Sequence, residues 1–485
     1  MMKLKDLIKN LQCKVENFNE DLNIENLFFD SREKSCKGLF FCLYGVNTDG
    51  ENFVTEAIKN GAIAVVTHSK LDVQIPQIMV ENTRKALSIV ASNFYNNLEK
   101  QLKIIGITGT NGKTSTSYIL AKLLRGFGKK VGVIGTSGVF VNGKKYSLTL
   151  TTPDSTKLFE IFSQMVKQKV EYVVMEVSAH AIALHKVFGI EFTQKILTNV
   201  SVDHLDFFKT AECYKNTKLH FFETGKNFVV NFDDEVGKSV KQKMTNKTLS
   251  YGISPKSDLK ILNENCNEFG TKFQVLINEK IYDINSHLLG NFNVQNIACA
   301  ILSLVQLGFD VEKIPKIIRR INSLSGRFES VKYGQKFCVI VDYAHTIESL
   351  KNLLLAVKEI SSKKNIIVFG CPGERDSTKR AQMGKIAGEF CDVVIATTDN
   401  PASENARRIM FEIASGVKKT KAKCLLIENR KQAIKKAVSL CDENCNLLVV
   451  GKGNEPYQII GDTFVPYSDY EVLKSAIKNS TKNDK

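Results

Sequence analysis

The stretch Ile104-Ile105-Gly106-Ile107-Thr108-Gly109-Thr110-Asn111-Gly112-Lys113-Thr114 passes from an apolar run into a glycine-bearing turn, and Ser115 to Leu120 then reads as a helix. A strand over 103–108 that feeds such a turn and opens a helix is the local plan of a phosphate cradle. Backbone N–H groups of the turn and the helix N-terminus converge on an anion, Lys113 adds a mobile positive charge, and the Thr114 hydroxyl is available to magnesium. Gly109, Thr110, Asn111, Gly112, Lys113, Thr114 and Ser115 are therefore expected to hold the phosphates of a nucleoside triphosphate. The spacing departs from the generic pattern, because Ile107 stands five residues before Gly112 and the nearest glycines are Gly106 and Gly109.

Working outward, apolar strands at 131–135, 172–177, 195–199 and 227–231 join the one at 103–108, and a helix is expected after each. That alternation predicts a largely parallel sheet. Before it, a strand at 38–43, a helix at 53–60, a strand at 62–67 and a helix at 84–98 form a small α/β unit. After it, strands at 338–342, 365–370, 393–397, 424–428 and 447–451 predict a second open sheet. The fold class expected is α/β in three domains: a small N-terminal domain (1–98), a central parallel-sheet ATPase domain of P-loop type (99–325) and a C-terminal Rossmann-like domain (326–485). A length of 485 residues suits several cores better than one.

Composition removes several function classes. With 43% hydrophobic and 24% charged residues the chain is ordinary for a soluble globular protein. Its apolar runs are strand-length, far short of a bilayer span. Residues 1–9 place charges inside an apolar pattern with no small-residue cleavage site, so they read as an amphipathic helix and the protein is expected in the cytoplasm. The twelve cysteines lack the paired spacing of zinc sites and read as reduced thiols. A net charge of +16 comes from lysines spread along the chain without interleaved aromatics, which argues against nucleic acid and suits phosphorylated small substrates.

Polar clusters lie where strands end, the place ligands occupy in open α/β sheets. The apolar strand Tyr172 to Met175 turns polar at Glu176, with Ser178 and His180 close behind. A carboxylate there suits magnesium held against a triphosphate. The next strand end delivers Asp203-His204-Leu205-Asp206, a second metal-ligand candidate. Asn291, Asn293 and Asn296 open an apolar helix with amides able to read a purine edge. Ser325-Gly326-Arg327 and Asp342-Tyr343-Ala344-His345 follow at the start of the third part.

With those segments, and with Asp30-Ser31-Arg32, Thr151-Thr152-Pro153, Tyr214 to Lys218, Gly370 to Asp376, Asp399-Asn400-Pro401 and Gly451 to Glu455, the chain closely resembles the Mur ligases of peptidoglycan synthesis, in their diamino-acid-adding branch. The resemblance implies a monomeric cytosolic enzyme that spends ATP to join a diamino acid to UDP-N-acetylmuramoyl-L-alanyl-D-glutamate through an acyl phosphate. It implies that Lys113, Glu176, His204, Lys218 and Arg327 act in catalysis. Thr114, Glu176, His204 and Lys218 would hold Mg2+, the last as a carbamate formed with carbon dioxide. Asn293, Asn296, Arg327, Asp342 and His345 would complete the ATP site. Ser31, Thr151, Thr152, Ser178 and Lys186 would contact the UDP-sugar, with Leu184 and Lys186 standing where the family usually has glutamine and arginine.

The same resemblance gives the amino acid to Arg375, Asp399, Asn400, Pro401, Ala402, Gly451 and Glu455. Members that add meso-diaminopimelate usually carry arginine where this chain has Ala402. A bidentate guanidinium–carboxylate contact is worth about 1.5–3 kcal/mol, so its absence tilts the expectation toward L-lysine, with ornithine and diaminopimelate as alternatives. Arg407 and Arg408 are close enough in sequence to substitute. A folylpolyglutamate synthetase-like ligase and a nucleic-acid-stimulated ATPase are the competing readings.

Overall fold

The structure, a computed structural model, describes residues 1–45, 48–146, 150–201, 203–322, 324 and 326–483; Ser325 lies outside the described residues, as do the side chains of Asp206 and of 481–483. The chain divides into two compact units, Met1–Lys260 with Asn296–Val311, and Ile261–Gln295 with Glu312–Lys485.

The first unit begins with a sheet of β1 (Lys14–Glu16), β2 (Asn26–Phe28), β3 (Gly38–Phe41), β4 (Ala62–Thr67) and β5 (Gln77–Met79), in the order β1-β5-β4-β3-β2. Every residue of β3 is buried, as its unbroken apolar run requires of a strand covered on both faces. Helix α1 (Thr83–Phe94) starts where the Asn82 side chain accepts from the N–H groups of Arg84 and Lys85. It stops short of the expected Leu98 because Asn96 and Asn97 adopt left-handed backbone. The expected helix over 1–9 shrinks to Leu4–Leu7, since Met2–Lys3 pairs as a strand with Asn23–Ile24.

The larger sheet of this unit carries the cradle. Its strands include β6 (Lys103–Thr108), β7 (Val131–Gly135), β8 (Gly138–Val141), β9 (Tyr172–Glu176), β10 (Gln194–Leu197), β11 (Phe228–Asn231) and β12 (Thr248–Gly252), in the order β8-β7-β9-β6-β10-β11-β12; β8 is antiparallel to β7 and to the edge strand Lys144–Tyr146, and the remaining pairs among these are parallel. Helix α2 (Lys113–Gly126) follows β6, α3 (Ser155–Lys167) precedes β9, α4 (Ala179–Ala183) follows it, and α5 (Ala211–His220) follows β10. One expectation fails here. The strand at 131–135 is followed by the antiparallel β8 rather than by a helix, because Gly138 turns the chain back at φ +109°. Gly106, within β6, is required by packing: a Cβ there would meet the Phe192 ring at 2.6 Å and the Phe221 ring at 2.9 Å.

The second unit contains the antiparallel hairpin β13 (Gly270–Ile277) and β14 (Lys280–Ser286), paired from Thr271↔Ser286 to Ile277↔Lys280. The long alternating strands Leu259–Asn267, β13 and β14 had no counterpart in the expected pattern. Its open sheet contains β15 (Cys338–Asp342), β16 (Lys364–Phe369), β17 (Val393–Ala396), β18 (Lys423–Leu426) and β19 (Cys445–Val450), ordered β15-β19-β16-β17-β18 with all these pairs parallel. Helices α6 (Ile347–Ile360), α7 (Thr378–Phe390), α8 (Ala406–Val417) and α9 (Arg430–Leu440) alternate with them. A small hairpin, β20 (Tyr457–Ile460) with β21 (Thr463–Pro466), leads into α10 (Asp469–Asn483). Arg430 and Asp469, both without solvent exposure, form a bidentate pair at 2.7 and 2.6 Å that ties α9 to α10. Among the described residues no helix is long and apolar enough to cross a membrane.

Candidate active site

In the first unit the carboxyl ends of β6, β9 and β10 meet around the glycine turn. Gly109 (φ +149°) and Gly112 (φ +83°) occupy backbone that favours glycine. A Cβ on Gly109 would sit 1.9 Å from Thr198 Oγ1, and one on Gly112 would sit 2.6 Å from Asn296 Oδ1. The turn is braced from β10: Thr110 N–H donates to the Asn199 carbonyl at 2.8 Å, Asn111 N–H to Asn199 Oδ1 at 2.9 Å, and Thr198 Oγ1 to the Asn111 carbonyl at 2.7 Å. Lys113 folds back over it, its Nζ donating to the carbonyls of Gly109 and Thr110, both at 2.8 Å. Ser115 is half-buried on the first turn of α2. Thr116, which carried no expected role, donates to Asn296 Oδ1 at 3.1 Å.

Glu176 ends β9 fully buried. Its Oε2 accepts from Thr114 Oγ1 at 3.1 Å and Thr136 Oγ1 at 3.0 Å, while Oε1 accepts from Thr136 N–H at 3.1 Å. Gly135 makes room for it, since a Cβ there would lie 2.2 Å from Glu176 Oε1. A carboxylate flanked by two hydroxyls is an all-oxygen donor set, which fits a hard cation such as Mg2+. The group that does assemble three His or carboxylate ligand atoms among the described residues lies elsewhere, at Asp49, Glu51 and His68 of the N-terminal sheet.

Lys218 is buried on α5 with its Nζ over the Tyr214 ring, 4.7 Å from the centroid. Burial, and then the charge of Lys113, hold it well below the ordinary lysine value, against the opposing pull of Asp203 and Asp234. A lowered value favours the neutral amine, which is the form that reacts with carbon dioxide. The Tyr214 hydroxyl reaches Thr110 Oγ1 at 3.1 Å, so the helix of Lys218 is linked to the turn. His204 adopts left-handed backbone (φ +52°), is exposed, and stacks edgewise on His180 with centroids 4.9 Å apart.

The residues expected at the nucleotide sugar fall into two places. Thr151 and Thr152 stand beside the Glu176 end of β9, with Thr136 Oγ1 and Thr151 Oγ1 3.1 Å apart and Thr152 Oγ1 donating to the Glu176 carbonyl at 2.9 Å. Ser178 N–H donates to Thr152 Oγ1 at 3.1 Å, and its own hydroxyl caps α4. Lys186 is buried and paired with Asp154 Oδ1 at 3.1 Å, a partner absent from the expected set. Ser31 lies on the N-terminal sheet and donates to Glu56 Oε2 at 2.5 Å.

In the second unit the carboxyl ends of β15, β16, β17 and β19 form another polar cluster. Asp342, half-buried, accepts from Phe328 N–H and Ala344 N–H, both at 2.7 Å; desolvation pushes its carboxyl up against those donors and Arg327. The Arg327 guanidinium lies over the Tyr343 ring at 5.1 Å, and His345 packs against the same ring at 4.8 Å. Asn293 is buried, with its Nδ2 donating to the Leu289 carbonyl at 2.8 Å. It belongs to this unit, whereas Asn296 belongs to the first.

Asp399 is buried at the end of β17, Asn400 Nδ2 donates to Glu455 Oε2 at 3.1 Å, and Tyr343 Oη donates to Glu455 Oε1 at 3.2 Å. Lys452, buried to zero exposure, donates to Glu455 Oε2 at 2.8 Å and Asn400 Oδ1 at 2.9 Å. Pro401 approaches Gly373 so closely that a Cβ there would lie 2.0 Å from the Pro401 carbonyl oxygen. Ala402 (φ +49°) is zipped to β20, its N–H donating to the Ile459 carbonyl at 3.3 Å and its carbonyl accepting from Gly461 at 3.0 Å. Arg380, buried on α7, reaches Pro372, Glu404 and Glu412 and so holds the two loops around it.

Arg375 is exposed on its loop. The two arginines expected as substitutes for a guanidinium at 402 are otherwise engaged: Arg407 pairs with Glu428 at 2.8 Å and Arg408 with Glu412 at 3.2 Å. Lys452, Arg380 and Thr136 carried no expected role. The one signal available in advance was Lys452 itself, a lysine set between two glycines after the apolar run Leu447 to Val450.

Three segments of the chain match family descriptions: residues 23–95 the Mur ligase family catalytic domain, 107–304 the Mur ligase middle domain, and 326–453 the Mur ligase glutamate ligase domain. The chain is 39% identical over 484 residues to a UDP-N-acetylmuramoyl-L-alanyl-D-glutamate–2,6-diaminopimelate ligase 1 of Clostridium acetobutylicum, covering 98% of this chain and 99% of that protein. Identity is also 39% to the ligase of the same substrate name from Caldanaerobacter subterraneus subsp. tengcongensis, covering 99% of this chain and all of that one (100%). A solved structure of a UDP-N-acetylmuramoyl-L-alanyl-D-glutamate–2,6-diaminopimelate ligase superposes with a TM-score of 0.73 at 26% identity, covering 99% of both chains.

Proposed function

The chain belongs to the Mur ligase family, and we propose that it joins a diamino acid to the D-glutamyl carboxylate of UDP-N-acetylmuramoyl-L-alanyl-D-glutamate in the cytoplasm. Members of this family are ATP-dependent amide ligases, and this chain is one of them. The substituted carboxylate attacks the γ-phosphorus of ATP and ADP departs. The amine of the second substrate then attacks the acyl phosphate, and inorganic phosphate leaves with loss of the amine proton. Such transfer needs positioning and charge neutralisation more than covalent help.

One observation carries the reading: the hydroxyl of Thr114 in the glycine turn and the buried Glu176 carboxylate share a hydrogen bond at 3.1 Å, which supports a cation held by this oxygen pair beside the phosphates. The turn's N–H groups and Lys113 would hold the phosphates, with Arg327 as a further cation and Asn293, Asn296, Asp342 and His345 around the nucleotide. Thr114 and Glu176 would hold one Mg2+, and His204 with a carbamate on Lys218 a second. Bound there, Mg2+ would neutralise phosphate charge. Ser31, Thr151, Thr152, Ser178 and Lys186 would contact the UDP-sugar. In domain terms, 1–98 takes that sugar, 99–325 the ATP and 326–485 the amino acid.

For the diamino acid, 2,6-diaminopimelate is supported by the names of the relatives. A second reading, L-lysine or ornithine, is supported by Ala402 together with the ion pairs that occupy Arg407 and Arg408. Arg375 would take a carboxylate and Glu455 an ammonium. The deciding experiment is phosphate release from ATP with the UDP-dipeptide, with diaminopimelate, lysine and ornithine supplied one at a time. One of the three should support turnover that depends on the UDP-dipeptide; no ATP cleavage with any pair would end the reading.

A further inference from the structure

The loop that follows β19 buries a lysine among carboxylates. Lys452 has zero exposure, yet it lies in the middle of Gly451-Lys452-Gly453-Asn454-Glu455. The glycines on either side are what permit this. Gly451 has φ +109° and a Cβ on it would lie 2.8 Å from Asp399 Oδ2; Gly453 has φ +54° and a Cβ there would lie 2.9 Å from both the Gly326 carbonyl oxygen and Tyr343 Cβ. The ammonium donates to Glu455 Oε2 at 2.8 Å and Asn400 Oδ1 at 2.9 Å and stands 3.5 Å from Asp399 Oδ1.

The charges do not balance. Two carboxyls, Asp399 and Glu455, face the single ammonium of Lys452, and burial pushes the Asp399 carboxyl up against the pull of Arg430 and Lys452. The next cation, Arg430, is already bound bidentately by Asp469. Only Glu455 of the three reaches solvent, at 22% side-chain exposure against 0% for Lys452 and 5% for Asp399. Its Oε2 is occupied by two donors, Lys452 and Asn400, while Oε1 receives the single hydroxyl of Tyr343 at 3.2 Å. A carboxylate oxygen accepts about two hydrogen bonds, so Oε1 keeps one acceptor direction free.

Resting on the reading that this cluster receives the diamino acid, we propose that Lys452 is a positioning residue. It cancels one of the two carboxylates and turns Glu455 so that a single, directed negative charge meets one ammonium of the incoming amino acid. The groups that bear on Glu455 are Lys452, Asp399 and Tyr343, with the Arg430–Asp469 pair behind Asp399, and Arg327 and His345 against Tyr343. Removing the ammonium leaves two facing carboxyls whose mutual repulsion favours the proton-bound form of one of them.

The test uses the full chain with Lys452→Met and, as a near-isosteric variant that keeps a donor, Lys452→Gln. Phosphate release is followed while the amino acid, ATP and UDP-dipeptide are varied in turn between pH 6 and 9. The KM for the amino acid is expected to rise about ten-fold or more in Lys452→Met, with the KM for ATP and the affinity for ADP within about three-fold of the parent. That amino-acid KM should fall more steeply with rising pH in Lys452→Met than in the parent, whose dependence comes from the substrate amine alone, because the uncompensated carboxylates of the variant regain their charge. An unchanged amino-acid KM in a folded variant overturns the proposal, and so do losses shared equally by all three substrates. If neither variant folds or binds ADP, the ammonium belongs to the fold and the proposal is equally overturned. Failure of the parent to turn over any amino acid would instead strike the functional reading beneath it.

Discussion

Thr114 Oγ1 and Glu176 Oε2 lie 3.1 Å apart, joining the second residue of α2 to the last residue of β9. The same carboxylate oxygen accepts from Thr136, so two hydroxyls converge on one buried acid. Thr114→Val keeps the shape and removes the hydroxyl. We expect kcat/KM to fall about 10–100-fold and the Mg2+ concentration for half-maximal activity to rise. An unaltered Mg2+ titration would take Thr114 out of the metal's surroundings.

Lys113 donates to two carbonyls of its own turn, on the surface of the cradle and outside the hydrophobic core. Lys113→Ala should lower kcat by about 10²–10³-fold while leaving thermal unfolding within a few degrees of the parent. Retained activity would contradict the proposed cradle.

Lys218 is held below the ordinary lysine value by burial and by Lys113. Where a lysine's folded value is depressed, the unfolded chain binds the extra proton, so stability rises with pH between the folded value and the ordinary one. Lys218→Met, studied without carbon dioxide, should therefore be more stable than the parent near neutrality. That advantage should shrink as pH approaches the ordinary lysine value of 10.5. Denaturant melts at several pH values read this out, and a constant difference would refute it. The Lys218→Ala enzyme should also regain part of its activity with formate or acetate, if a carbamate anion is what the site uses.

Ala402 already has left-handed backbone and stands beside β20. Ala402→Arg should shift the ratio of kcat/KM values toward diaminopimelate over lysine by about 10–100-fold, matching one bidentate carboxylate contact of about 1.5–3 kcal/mol. A ratio that does not move would mean the distal carboxylate, where a substrate has one, is read elsewhere.

Arg430 and Asp469 form a bidentate pair with no solvent exposure. Arg430→Met strands a buried carboxylate and should cost about 3–5 kcal/mol of unfolding free energy, whereas Arg430→Met with Asp469→Leu should recover most of it. Equal losses in the single and double variants would show that packing, not charge, is what the pair supplies.

Features whose causes are local could be read from the chain alone. The cradle is one: Gly109, Gly112, Lys113 and Thr114 lie within six residues, and the apolar strand before them needs no distant partner to be recognised. Strands β4, β6, β7 and β15 fall on their expected residues because a strand buried on both faces is an uninterrupted apolar run. Glu176 and Asp399 stood out as polar groups at the ends of such runs. The strands from Leu259 to Ser286 did not, because their alternating, half-exposed residues carry a weaker signal than a buried run.

Tertiary structure alone decided which charges face one another. Asp154 and Lys186 are separated by 32 positions, Asn400 and Glu455 by 55, and Arg430 and Asp469 by 39, so no local pattern links them. The same holds for Gly106, whose close approach to the rings of Phe192 and Phe221 no local pattern shows. Lys452 is the clearest case. In sequence it is marked only by its place between two glycines, and only when β19 carries it inward between Asp399 and Glu455 does its charge acquire partners. A side chain's type belongs to the chain, but what desolvates and neutralises it is set by segments that meet only after folding.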